Sequence, residues 1–518
     1  MAHRMTDSGS PRRLHVLLGA LALVTWLILL TVSLGKREFW TDEVVTAGHI
    51  VALENTRDAF HPRGYYLLLY GWKQLFGAGD LSLRAFSLPW AVAAFFLCAA
   101  IGRRVLQPQQ ALLCQWLFVL SPFVVLYFRM ARFYSMVTAI ALLVAYCALL
   151  VVQQGRWRHW LGLGACLAGL LGTSYVAAMA TAPLLVWLAL IALRRRHGWR
   201  LALCVLPGAL MVATAVPELV SRATQVSAIE AGAAHGSLPQ LAMRVALPAY
   251  SLAVGETTDP WRLYITVPAV LAMGGAFVLG LVCRPKEHGG HIVRWAWLGA
   301  VAVVAVLLTT VARGEPLSSA ARSTIFAAPL AFMLVAQGIG RVRRKALRAA
   351  LLAVILVTDG YGLMNYYAGR QFLNPAYVAP WRAITAAIEQ RQEPTDVVLA
   401  YYDTAPERYG SFHNFIYGRP DFFPEKLEPI YRWPQDGFRL WLIARDRGSA
   451  EARRLQQELI DKLSPRAQDV QVMDFMPYSA PDRRFREVFL RRKMQDAYVK
   501  VYLFIPPDEL SPTMLAGS

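Results

Sequence analysis

Residues 14–43 read LHVLLGALALVTWLILLTVSL-GKREFWTDE. From Leu14 to Leu34 there is no charged Lys, Arg, Asp or Glu, and as a helix this run is long enough to cross about 30 Å of hydrocarbon. Arg12 and Arg13 stand in front of it, and no small-residue cleavage site precedes Gly35-Lys36. An uncleaved first span with a cytoplasmic N-terminus is therefore expected. Immediately beyond its far end come an aromatic pair, Phe39-Trp40, and two adjacent carboxylates, Asp42-Glu43.

The rest of the chain repeats the pattern of that first run. Hydrophobic residues make up 56% of the 518 and charged residues 17%, with a mean hydropathy of +0.37. A water-soluble chain of this length needs more charge to cover its surface. Apolar runs at about 81–102, 109–127, 134–152, 160–175, 176–193, 200–217, 263–283, 294–312, 323–340 and 348–366 bring the expected spans to about eleven. Basic clusters separate alternate runs: Arg103-Arg104, Arg156 and Arg158, Arg194 to Arg196 with Arg200, Arg284 with Lys286 and Arg294, and Arg341 to Arg348. Placing these in the cytoplasm satisfies the positive-inside bias, and an odd number of spans puts the region after about residue 367 outside. The net charge of +19 thus belongs to membrane topology, not to nucleic-acid binding. The six cysteines, Cys98, Cys114, Cys147, Cys166, Cys204 and Cys283, lie in or beside apolar runs without a C-x-x-C spacing. They read as small hydrophobes, neither a disulfide framework nor a zinc site.

Two domains follow. Residues 1–366 form an all-α polytopic membrane domain with a long first outside loop, 35–80, and a second at about 218–262. Residues 367–518 alternate strand-like runs (397–402, 440–444, 470–475, 499–504) with helix-like ones (381–392, 450–463), which suggests a small extracytoplasmic α/β domain. In that domain Tyr401, Tyr402, Arg408 and Tyr409 suit either a glycan or packing.

Candidate chemistry collects on the outside face. Asp42 and Glu43 can supply a general base or bind a cation, with Trp40 beside them as a substrate contact or an interfacial anchor. The stretch His61-Pro62-Arg63-Gly64-Tyr65-Tyr66-Leu67-Leu68-Leu69 has aromatic and aliphatic residues at helical spacing, as in a helix lying in the interface. His61 there could donate to a phosphate oxygen. In Arg129-Met130-Ala131-Arg132-Phe133-Tyr134-Ser135, the two arginines could clamp an anionic head group or snorkel to lipid phosphates. Arg322 sits at an outside helix mouth, against the positive-inside bias, where a guanidinium needs an anionic partner.

The order W-x-D-E after the first span, then H-P-x-x-Y-Y-L-L-L with L-F-G and L-R, then A-R-x-Y-S and a late Arg before an apolar run resembles polyprenyl-phosphate-dependent glycosyltransferases of the C-type fold. Protein O-mannosyltransferases and bacterial aminoarabinose transferases belong to that superfamily. The resemblance covers about residues 14–135 well and the C-terminal domain hardly at all. It implies a bacterial inner-membrane enzyme that takes a sugar from a polyprenyl monophosphate. The position of the family's catalytic carboxylate is Asp42, with Glu43 as the accompanying acid, and the basic residue that precedes the motif proline is His61. Arg63 stands where relatives usually carry a second proline and is a further candidate phosphate contact. The acid-plus-base pair of the aminoarabinose branch is replaced by Ala59-Phe60-His61, which argues against that acceptor.

On this reading Asp42 accepts the proton of an acceptor hydroxyl as it attacks the anomeric carbon, and inversion follows from the single displacement. Arg129, Arg132, Arg322 and His61 stabilise the departing phosphate, and Trp40, Tyr65 and Tyr134 contact substrate. The acceptor is a glycan, a lipid or a protein. A monophosphate is a good leaving group, so no cofactor is required, although two carboxylates leave room for a divalent cation. The alternative from another class is a transporter or flippase of a lipid-linked substrate. Such proteins hold ionisable groups near the bilayer midplane, often in repeated halves, and this sequence shows no repeat.

Overall fold

The computed structural model describes residues 10–57, 62–194, 199–204, 206–207, 238–282, 288–310, 321–401, 405–418, 430, 433, 437–445, 450–475 and 499–507. The chain divides into two compact units, one of residues 1–36 and 46–373, the other of residues 37–45 and 374–518. The boundary between the two falls near residue 373. The segment Arg37–Val45, although it belongs to the first loop, packs with the C-terminal unit.

The first unit is helical. Its elements are α1 (Ser10–Thr31), α2 (Thr41–His49, which begins in the other unit), α3 (Arg63–Phe76), α4 (Asp80–Ala85), α5 (Ser87–Val105), α6 (Pro108–Leu120), α7 (Pro122–Phe128), α8 (Tyr134–Gln154), α9 (Trp157–Leu171), α10 (Tyr175–Met179), α11 (Ala182–Arg194), α12 (Leu238–Val254), α13 (Leu263–Val282), α14 (His288–Thr310), α15 (Ala328–Arg341) and α16 (Lys345–Ala368). Among the described residues, six helical stretches are long and apolar enough to cross a membrane. They become seven if α6 and α7, bent by 58° where Ser121-Pro122 interrupts the helix, count as one. The expected spans at 160–175, 294–312 and 323–340 also fall on helices, α9, α14 and α15. The one at 200–217 lies mostly outside the described residues. Helix α12 forms where the sequence suggests only an outside loop. Pro248 inside it and the polar residues that follow hide its periodicity.

Leu17, Val24 and Ile28 of α1 are exposed, whereas Ala22, Trp26 and Leu30 are buried. The buried stripe docks on the bundle: Trp26 donates its indole N–H to the Ala91 carbonyl (3.2 Å), and its ring lies 5.1 Å from Phe118 and 5.8 Å from Phe128. Helices α13 and α15 approach backbone to backbone. A Cβ on Gly338 would stand 1.8 Å from the Ala276 oxygen, so only glycine permits this crossing, and dispersion between the two backbones takes the place of side-chain packing. Helix α3 is amphipathic as expected, burying Tyr65, Tyr66 and Leu69 while Leu67, Leu68, Leu75 and Phe76 are exposed. The Gly64 amide donates to the Gly172 oxygen (2.8 Å) and ties the start of α3 to the end of α9.

The second unit is an α/β domain with α17 (Trp381–Glu389), β1 (Val397–Tyr401), α18 (Ala405–Tyr409), β2 (Phe415–Gly418), β3 (Leu440–Arg445), α19 (Ala450–Leu463), β4 (Asp469–Phe475) and β5 (Val499–Ile505). Its sheet has the order β2-β1-β3-β5-β4. Strand β1 pairs in parallel with β2 and β3, and β5 pairs antiparallel with β3 and β4. Strand β3 is buried throughout and carries the core with Leu399, Trp433, Leu459 and Phe504. Asp396 holds the entry to β1, accepting from both Arg439 guanidinium nitrogens (2.9 and 2.8 Å) and from the Trp441 indole (2.7 Å).

Candidate active site

In the first unit, helix α7 is buried along its whole length and ends in Arg129. The Ser121 hydroxyl accepts from the Val124 amide (3.4 Å) and starts the helix, and Pro122 fits its first turn because that position needs no amide hydrogen. Arg129, 4% exposed, turns its guanidinium onto the end of α1. It donates to the carbonyls of Leu29 and Val32, the latter at 2.6 Å, and to the Tyr367 hydroxyl at 3.2 Å. The rings of Tyr366 and Tyr367 flank it at 5.4 and 5.2 Å. Arg84 does the same one turn further on, donating to the Leu34 carbonyl (3.2 Å). Helix-terminal carbonyls carry partial negative charge and lack intrahelical donors, so both cations close the first span.

Arg132 has a different partner. It is 5% exposed and donates to the Thr46 hydroxyl (2.8 Å), with the Phe133 ring 5.3 Å away. Phe133 in turn lies 5.0 Å from Tyr134 and 6.2 Å from Tyr65. The structure thus brings Arg132, Tyr134 and Tyr65 into one buried aromatic cluster. Arg63, half-buried, opens α3 beside it in sequence. His61 lies outside the described residues.

Arg322 is half-buried in the helical turn that precedes α15. Its positive charge acts on Glu256, a carboxylate that sequence reasoning missed. Glu256 is 1% exposed and accepts from the Tyr127 hydroxyl at 2.8 Å. Tyr127 packs 4.9 Å from Tyr134, so this acid joins the same cluster. Burial pushes the Glu256 carboxyl up to about 7, against the opposing effects of Tyr127, Arg322 and Ser251. The only signal in the sequence is an acid after Gly255 in a stretch, Gly255-Glu256-Thr257-Thr258-Asp259, more polar than its surroundings. The structure buries all four polar residues of that stretch.

In the second unit, the segment Arg37–Val45 carries Trp40, Asp42 and Glu43. Glu38 accepts from the Arg382 amide (3.1 Å), and the Phe39 amide donates to the Tyr409 hydroxyl (2.6 Å). Arg408 stacks 4.5 Å over the Phe39 ring. Trp40 meets Tyr377 edge-on at 4.7 Å, and Arg445 donates to the Thr41 hydroxyl. Arg408 and Tyr409, read from sequence as suited to a glycan, thus contact this segment.

The two acids differ. Glu43 is 1% exposed and folds back to accept from the Trp40 amide (3.4 Å), while its own amide donates to the Trp40 carbonyl (2.9 Å). This reciprocal pair starts α2 in the manner of a capping box. Asp42 stays half-buried in the first turn of α2. Its carboxyl therefore sits among the amides that open that helix. Among the described residues, no three or more His, Cys, Asp and Glu side chains come together as a metal-binding group.

Three comparisons bear on the chain. The family model described as dolichyl-phosphate-mannose-protein mannosyltransferase matches residues 60–220, a range that holds α3, the two arginines and the start of α8. No curated protein matches. The fold is similar to ArnT from Cupriavidus metallidurans in the apo state, with a TM-score of 0.58 at 12% identity over 96% of this chain and 98% of that one. It is also similar to the same protein bound to undecaprenyl phosphate, with a TM-score of 0.54 at 12% identity over 94% and 97%. The chain is a multi-pass membrane protein with the fold of ArnT, and it resembles the polyprenyl-phosphate-dependent glycosyltransferases of the C-type fold.

Proposed function

We propose that this protein is a membrane glycosyltransferase that moves a sugar from a polyprenyl monophosphate to an acceptor hydroxyl, inverting the anomeric centre. The observation that carries the reading is the contrast within Asp42-Glu43: Glu43 is buried, and Asp42 is half-buried in the first turn of α2. The fold shared with a protein solved with undecaprenyl phosphate supports a lipid phosphate as donor. Asp42 takes the acceptor proton, the hydroxyl oxygen bonds to the anomeric carbon, and the bond to the phosphate oxygen breaks. The polyprenyl phosphate leaves with its electron pair. Arg132, Arg322, Arg63 and His61 meet that charge. Arg129 is left out of this set, both its terminal guanidinium nitrogens donating to carbonyls at the end of α1. Trp40, Tyr65 and Tyr134 are the substrate contacts of this reading. A divalent cation would find its carboxylates in Asp42 and Glu43, and no step above depends on one. In this reading the protein sits in a bacterial inner membrane with its N-terminus in the cytoplasm and residues after 373 outside.

The test uses purified protein with undecaprenyl phosphate carrying radiolabelled mannose, glucose, galactose, arabinose or aminoarabinose. Membranes from a deletion strain serve as the acceptor source. Transfer of label from the lipid to an acceptor, with opposite anomeric configuration in the product, supports the reading. Retention of every label on the lipid, with protein that still binds undecaprenyl phosphate, rejects it. Mass spectrometry of surface glycans from the deletion strain identifies the attachment site.

A further inference from the structure

Four consecutive residues before Asp42 are held by the C-terminal unit: Glu38 by the Arg382 amide, Phe39 by Tyr409 and Arg408, Trp40 by Tyr377, and Thr41 by Arg445. The places these partners come from are related. Arg445 is the last residue of β3, and Tyr409 is the last residue of α18, the helix that leaves β1. Strands β1 and β3 are parallel neighbours. The order β2-β1-β3 means that the chain leaves β1 towards one neighbour and later returns to build the other, so β1 and β3 border a switch point. In open α/β sheets the carboxyl edge at such a point is where ligands bind.

We propose that this edge is an internal receptor for residues 37–45, and that Arg445 and Tyr409 are positioning residues for Asp42. The inference rests on the reading of Asp42 as the base. A nine-residue helix such as α2 is too short to be stable by itself in water, so its first turn takes its orientation from what it is docked on. Arg445 is 4% exposed and fixes Thr41, the residue next to Asp42. Trp381 backs the guanidinium at 5.9 Å. The Tyr409 carbonyl accepts from the Thr385 hydroxyl (3.3 Å), which anchors that residue to α17. The domain therefore serves the reaction by aiming a carboxylate, and the glycan site that its Arg408 and Tyr409 suggest from sequence is filled by the protein's own chain.

The experiment uses full-length Arg445→Met, Arg445→Lys, Tyr409→Phe and Asp42→Asn. Two readouts are taken: amide hydrogen exchange over residues 37–45, and kinetics with the undecaprenyl-phosphate sugar that the wild type turns over. In Arg445→Met, exchange in 37–45 accelerates and kcat falls about 100-fold while KM for the lipid donor stays within about twofold, as expected when a reacting group loses its orientation. Arg445→Lys keeps the charge and recovers part of kcat. Tyr409→Phe removes one hydroxyl from an intact ring and lowers kcat about tenfold, which keeps the inference testable if Arg445→Met fails to fold. Unchanged exchange over 37–45, or accelerated exchange with wild-type kcat, overturns the proposal. Turnover by Asp42→Asn would instead remove the base. An inert Asp42→Asn beside fully active Arg445 and Tyr409 variants would sink the positioning role alone.

Discussion

Two short acidic stretches of the chain receive opposite treatment. Residues 37–45 hang on long-range side-chain contacts and leave Asp42 half-exposed. Residues 255–259 are held by side-chain and backbone contacts together, with the Glu256 carboxylate accepting from Tyr127, its carbonyl from Leu373 and the Thr257 hydroxyl donating to Gly362, and both Glu256 and Asp259 are sealed. In the first stretch a carboxyl stays half-buried at the start of a helix. In the second, low dielectric surroundings hold a carboxyl near the point of neutralisation. The two stretches differ in how far each acid is withdrawn from solvent.

The largest effect that separates the two is expected at Asp42. Asp42→Asn should lower transfer by about 1,000-fold with little change in thermal stability, the usual range for losing a general base. A variant that turns over like the wild type would erase the contrast. Arg129→Met should act the other way, costing about 2 kcal/mol of stability because the Val32 carbonyl loses its donor and Leu29 keeps only that of Tyr367. Its affinity for undecaprenyl phosphate, measured on folded protein, should not move, and a loss of affinity would return Arg129 to the phosphate set. Glu43→Gln removes a charge from a capping interaction and should lower the melting temperature by the equivalent of about 1 kcal/mol. A loss of activity as deep as that of Asp42→Asn, at unchanged stability, would make Glu43 chemical. Arg322→Ala should weaken undecaprenyl phosphate about tenfold, and unchanged binding would limit this cation to its role beside Glu256.

The smallest effect at neutral pH concerns Glu256. Its folded-state value, about 7, lies above the ordinary 4.5, so the folded protein keeps this proton longer than the unfolded chain. Stability from this group is fully present below about 4.5, declines as pH rises towards 7, and is level above that. Glu256→Gln should flatten the wild-type curve of melting temperature against pH across that window. A difference curve without slope there would place the carboxyl among ordinary acids.

Much of the helical unit is legible in the sequence because lipid-facing and buried apolar residues leave long uncharged runs. The A-R-x-Y-S stretch is legible as a site for the same reason, since its arginines interrupt such a run. What each arginine does is not legible. Arg129 and Arg132 differ in role because one faces the last carbonyls of α1 and the other a hydroxyl 86 residues away. Helix α12 escapes notice through Pro248, and β2 is only four residues long. The docking of Phe39 and Thr41 depends on partners 370 and 404 positions later, a separation at which local patterns carry no information.

That separation orders events in time. Asp42 is synthesised among the first fifty residues, whereas Tyr409 and Arg445, which hold the residues just before it, emerge more than 350 residues later. A growing polypeptide therefore carries this segment undocked through most of its own production, and a truncated one never docks it. Completion of the last domain becomes the step that seats the segment around Asp42.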